Sequence, residues 1–160
     1  MHRLVLILLV TGCGYRFVVP NAPPGLASVA VPVFQNHTTE PQVDVLCTQS
    51  LREHYQRAGV LGGDASEGVV EGVVTGVSAA PFLAAPERGA FPTYRLVLSV
   101  ELTLKRGEQV VRSVTVRGTE EYPSGADVLI TEANRATALR RLCDSVMREG
   151  AERLAASGTP

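Results

Sequence analysis

The side chain with the clearest chemistry is the thiol of Cys13, because of what stands before it. Arg3 gives a positive start, Leu4 to Val10 form a short apolar run, and the small residues Thr11-Gly12 lead into Cys13. That order is a secretory signal with its cleavage site. An ordinary signal needs no cysteine after the cut. Val10-Thr11-Gly12-Cys13 looks like a bacterial lipobox, in which the Cys13 thiol is diacylated, residues 1–12 are removed and the new amino group is acylated. The apolar run is far shorter than the roughly 20 residues that span a bilayer. Several acyl chains on one residue meet the need for more than one lipid signal in stable anchoring. A buried N-terminal strand with an incidental cysteine would leave the order of these features unexplained.

Elsewhere reactive groups are sparse. Apart from His37 and His54 the processed chain has no histidine, and it has no Gly-x-Ser-x-Gly elbow, phosphate loop or Cys/His metal spacing. His54 falls beside a helical apolar stripe without a second ligand, so it reads as a partly buried structural histidine. Glu120-Glu121 is an adjacent carboxylate pair, but neighbours on a strand point to opposite faces and cannot share a substrate. Asn36-His37-Thr38 matches a glycosylation sequon, which carries no weight in a bacterial lipoprotein. The pattern predicts no enzyme, no metal site and no cofactor beyond the covalent lipid on Cys13. Cys47 and Cys143 remain, in a compartment that permits disulfides. They are either two small core hydrophobes or a bridge between helices.

Charge narrows the partners. The 15 basic and 16 acidic residues become 14 and 16 once Arg3 is removed with the signal. A nucleic-acid binder would need a basic footprint, and the absence of Trp argues against a stacking platform.

The elements that must position these groups follow in order. Residues 13–27 read as the lipidated N-terminus and a Pro- and Gly-punctuated tether, with Tyr15 to Val19 a short extended piece. Gly14, next to the acylated cysteine, is permissive for the outer membrane. Residues 28–157 read as one domain. Ser28 to Phe34 is a β-branched strand with Pro32 at an edge or end, and Gln35 to Thr38 a turn. Thr39 is the expected N-cap of a first helix, with Pro41 in its first turn and Gln42 closing a capping box. Val43, Leu46, Cys47, Leu51, Tyr55 and Ala58 recur at helical spacing until Gly59. Val69 to Val77 is a strand weakened by Gly72 and Gly76, and residues 79–92, with three prolines, an irregular loop. Tyr94 to Lys105 alternates: Tyr94, Leu96, Leu98, Val100, Leu102 and Leu104 face one way, Arg95, Val97, Ser99, Glu101, Thr103 and Lys105 the other. Arg106-Gly107-Glu108 is a hairpin turn and Gln109 to Tyr122 the return strand, each strand approaching about 40 Å. From Asp127 to Ala156 the period turns helical, with a stripe running from Leu129 and Ile130 through Leu139, Leu142, Cys143 and Val146 to Leu154. The order β-α-β-β-β-α predicts an α+β fold: a four-stranded, mostly antiparallel sheet with two helices on one face.

Five blocks then carry a family resemblance: Cys13-Gly14-Tyr15-Arg16-Phe17; Val29-Ala30-Val31-Pro32-Val33-Phe34-Gln35-Asn36-His37-Thr38-Thr39-Glu40-Pro41; Gly68 to Val77; Tyr94-Arg95-Leu96; and Thr131-Glu132-Ala133-Asn134-Arg135. Together they resemble the LptE family, lipopolysaccharide-assembly lipoproteins of Gram-negative outer membranes. The resemblance implies an outer-membrane lipoprotein on the periplasmic side, anchored in the inner leaflet. It would plug an LptD-like β-barrel and help lipopolysaccharide reach the outer leaflet, without catalysis. A rival resemblance, to CsgG- and LpoB-like periplasmic lipoproteins, rests on Val29 to Phe34 followed by Asn36 and a threonine. It implies a secretion-pore subunit or an activator of a peptidoglycan synthase, and leaves the long hairpin and Thr131 to Arg135 unexplained.

Lipopolysaccharide offers phosphates and acyl chains, so a basic side chain beside apolar surface is the chemistry to seek. Arg95, Lys105, Arg106, Arg112 and Arg117, all on the hairpin, are the candidates.

Overall fold

A computed structural model describes residues 23, 25–83 and 91–156; the cleavage site and Cys13 lie outside them. The elements in chain order are β1 (Val29–Ala30), β2 (Gln35–Asn36), α1 (Val43–Arg57), β3 (Gly68–Leu83), β4 (Thr93–Arg106), β5 (Gln109–Pro123) and α2 (Val128–Ala155). The fold is α+β, with β3, β4 and β5 forming an antiparallel meander and both helices on one face. The sheet order is β1-β3-β4-β5, and β2 also pairs with β3, giving five strands where four were expected.

Pro32 explains the extra strand. It cannot donate to a ladder, so the chain leaves β3 after β1 and returns as β2, both in parallel pairing. Gln35-Asn36, expected in a turn, is that second contact. Between the two, Phe34 turns inward: its N–H donates to Thr48 Oγ1 at 3.0 Å, and the residue is buried. Its ring lies against Gly72, where an added Cβ would meet ring atoms at 2.6 Å. The glycine that looked like a weakness in the strand makes room for a core aromatic. Gly72→Ala should therefore cost about 1–3 kcal/mol by overpacking, read as a lower urea midpoint at unchanged slope.

The first helix starts later than its sequence suggests. Asn36 Oδ1 accepts from the N–H and hydroxyl of Thr38, Thr38 Oγ1 accepts from the Glu40 N–H, and Asn36 Nδ2 donates to the Glu40 carbonyl. These bonds close a turn of their own, so Thr39 does not cap the helix. Gln42, at φ 61°, precedes Val43 without a side-chain cap bond. Gly59, at φ +71°, ends α1 as expected.

β3 runs on to Leu83, through residues expected in a loop. Its pairing slips by one between Val74 and Gly76, a bulge that re-aims the strand. β4 keeps the expected alternation, with Leu96, Leu98, Val100, Leu102 and Leu104 buried under the helices. The stripe of α2 is shorter than expected: it is buried from Ala138 to Leu154, whereas Val128, Leu129 and Ile130 are 75%, 82% and 46% exposed. Cys47 and Cys143 form a disulfide, Cα–Cα 4.9 Å, joining α1 to α2. No helix among the described residues is long and apolar enough to cross a membrane.

Candidate functional site

The basic candidates do not form one cluster. Arg95 and Arg106 stand near opposite ends of β4, roughly 36 Å apart by the strand rise. Arg106 Nη2 donates to the Gly25 carbonyl at 2.7 Å, and Lys105 pairs with Glu71 at 2.6 Å. Arg112 lies on the helix-bearing face, because Val114, Val116 and Tyr122 share its parity on β5. Its guanidinium donates to the Arg153 carbonyl at 2.9 Å and to the Ala156 carbonyl, so it closes the C-terminal end of α2. Arg117 is exposed on the open face of the sheet. Lys105 stands opposite the exposed Val110 and Arg112 follows the exposed Val111, but Arg95 is the one of the five seen stacked on an exposed aromatic ring. It stacks 3.3 Å from the centroid of the Phe82 ring and bonds Glu121 at 2.9 Å.

The ends of the sheet differ in character. At the β4–β5 turn the chain enters the fold: Leu26 is buried, Gly25 is held by Arg106, and the Ala27 N–H donates to Glu67 at 3.0 Å. At the other end lie the exposed residues Phe82, Phe91, Val128, Leu129 and Ile130. Asp127 caps α2 there, accepting from the Ile130 N–H at 2.8 Å. An apolar helix start is thus held firmly in water.

Behind that end sits a polar joint missed in the sequence. Arg135 on α2 reaches Glu40 with both terminal nitrogens, Nη1 at 3.0 Å. The Glu40 side chain is 11% exposed and that of Arg135 25%. This bond, ahead of the opposing effect of burial, raises the guanidinium pKa above its ordinary value. The Asn36–Thr38 turn presents Glu40, while Thr131 accepts from the Gly125 N–H and Asn134 donates to the Pro123 carbonyl. Two of the blocks that carry the resemblance, 36–40 and 131–135, therefore meet in one network. Their spacing in sequence gave no hint of contact.

The remaining groups arrange no chemistry. Glu120 and Glu121 do face opposite ways, toward Arg141 and Arg95 respectively. A groove of about 330 Å³ between α1 and α2 is lined by Leu46, Ser50, Glu53, Arg140, Arg141 and Asp144, charges of both signs. No group of three metal-ligating side chains occurs among the described residues. His54 is part-buried, with Nε2 unpartnered. Burial first, then Arg57 and Arg148, lower its pKa below 6.5, against Glu152 and Asp144. A basic group with a depressed native pKa is neutral in both states above 6.5, so stability is complete there. It should fall as pH drops below 6.5 toward the native value. His54→Gln should flatten that part of the stability profile, measured by urea unfolding at pH 7 and pH 5.

Comparison with known proteins matches this framework. No curated protein matches the chain. Among solved structures, the PelC dodecamer of Paraburkholderia phytofirmans superposes with TM-score 0.53 at 16% identity, over 82% of this chain and 89% of that one. Rare lipoprotein B of Shewanella oneidensis gives 0.51 at 13% identity, over 78% and 89%. A protein of Chlamydia trachomatis gives 0.56 at 7%, over 82% and 99%. At such identities these likenesses establish the fold alone. The family model described as lipopolysaccharide-assembly, LptE, matches residues 26–154. That span takes in every described strand, all of α1 and all but the last residue of α2, with the Glu40–Arg135 joint between them, and it places this chain in the LptE family.

Proposed function

We propose that this protein is a non-enzymatic lipoprotein of the outer membrane that partners an LptD-like β-barrel in delivering lipopolysaccharide to the outer leaflet. The observation that carries the reading is the family match across residues 26–154. Cys13 is the acylated residue, and residues 13–27 tie it to the domain of residues 28–157. Because the chain enters the fold at Gly25 beside Arg106, the β4–β5 turn lies on the tether side. The opposite end, with Arg95, Phe82 and Leu129, reaches furthest from the anchor.

A barrel lumen is polar and water-lined, and the open face of the sheet suits it. Ser99, Glu101, Thr103, Ser113, Thr115 and Arg117 occupy that face without a large apolar patch. Of the five basic candidates, Arg95 fits a lipopolysaccharide phosphate best, since Phe82 beside it offers acyl chains an apolar contact. Lys105, Arg106 and Arg112 serve the fold first.

Depletion of the protein in its own cell should leave newly made lipopolysaccharide short of the surface. A Cys13→Ser variant should lose lipid labelling and outer-membrane fractionation while its domain stays folded. Undiminished surface lipopolysaccharide after depletion would overturn the reading.

A further inference from the structure

The two outer strands of the sheet are guarded very differently. β5 carries Arg112, Arg117, Glu120 and Glu121, and Arg153 Nη1 donates to the outward Thr115 carbonyl at 2.9 Å. Charges and covered carbonyls are among the ways natural edges avoid pairing with other chains, as are bulges and edge prolines, of which β3 has the bulge at Thr75 and Pro81. β3 is shielded only in its first half, by β1 and β2. From Thr75 to Leu83 it carries no charged residue, and among the described residues no strand lies there on the side away from β4.

The hydrogen bonds show which groups are free. The Val74 carbonyl accepts from His37 N–H and the Gly68 N–H donates to Ser28, so even-numbered residues face outward before the bulge. The slip at Thr75 puts Gly76, Ser78 and Ala80 toward β4. Val77, Ala79 and Pro81 then turn their backbone outward. Pro81 sits where its missing N–H breaks no bond to β4. Ser78, Ala79, Ala80 and Pro81 are all exposed, so this part of the strand projects past the helices.

We propose that the outer edge of β3 from Val77 to Pro81 receives one extended, uncharged segment of a partner polypeptide, which joins the sheet as an added strand. Backbone groups supply the affinity in this mode, and the lack of charge selects an uncharged strand. The chain's own N-terminus does not reach. Cys13, ten residues before Pro23, extends at most about 35 Å from it. Pro23 sits near Gly68 through Leu26, whereas the edge from Val77 to Pro81 lies about 30–43 Å further along β3, too far for a strand of those residues to lie along it. The inference rests on the reading above for the source of the segment, the barrel partner.

The test uses the full lipidated chain, isolated from its outer membrane in mild detergent, with photo-crosslinking residues at Ser78 and Ala80. Ala79→Pro removes one outward N–H, and Ala79→Lys leaves the backbone intact but charges the edge; thermal melts check that each folds. Ala79→Pro should lower recovery of the barrel about tenfold, the effect of one or two lost hydrogen bonds, and Ala79→Lys should lower it by about as much through the cost of burying its charge. Crosslinks should fall within one extended segment of the barrel. Undiminished recovery with Ala79→Lys, or crosslinks only within this chain or to a second copy, overturns the docking edge and leaves the assembly reading standing. Absence of any barrel with the unaltered chain overturns both.

Discussion

Replacing Cys47 and Cys143 together by alanine should lower the unfolding free energy by about 4 kcal/mol. The melting temperature should fall by roughly 10–20 °C in a domain of this size. The two cysteines are separated by 96 residues in sequence, so the bridge closes most of the domain, from early α1 to the middle of α2, into a loop. On a chain-entropy account, that removes a large set of unfolded conformations. The bridge also joins α1 to α2 across the middle of the helix layer, where Leu51, Leu142 and Met147 are fully buried. Reductant should shift the unaltered protein by the same amount and leave the double variant unmoved. A shift under about 1 kcal/mol would mean that packing alone holds the helices and the loop contributes little.

Glu40→Ala should cost about 2–4 kcal/mol, near the range for stranding one partner of a buried pair and reduced by the residual exposure of Arg135. The loss should be local as well as global. The turn from Asn36 to Glu40 and the first third of α2 share no disulfide and little core, so amide exchange near Ala133 should quicken first. Arg135→Ala should cost a similar amount, and the double variant clearly less than the sum, because the two side chains act as one unit. Strictly additive losses would show that the pair contributes little beyond its separate packing.

Much of this architecture is written in side-chain period. The alternation along β4 defines its buried face without help from the rest of the chain, and Gly59 marks the end of α1 as its left-handed backbone requires. The same parity on Val114, Val116 and Tyr122 places Arg112 on the helix-bearing face, but Arg112 was chosen on charge alone. Periodicity fails where the question is what covers a face. Val128, Leu129 and Ile130 fit a helical apolar stripe, yet they project past the sheet and α1. Ala79 to Pro81 lack both alternation and bulk, so nothing local marked them as strand; pairing with Arg95 and Tyr94 does. Cys47 and Cys143 could be placed on facing stripes, but a bridge depends on a distance that only the packed helices define. The Glu40–Arg135 joint spans 95 positions in sequence, beyond any local rule. The candidate site was legible as residue types and not as a place: five basic residues were found, and one of them stacks on an exposed aromatic ring.

The most direct test of the assembly reading is affinity isolation of the lipidated protein from its own outer membrane, with the co-purifying protein and lipid identified by mass spectrometry. A large β-barrel together with lipopolysaccharide is the expected result. A peptidoglycan synthase, or nothing beyond further copies of this chain, would contradict it.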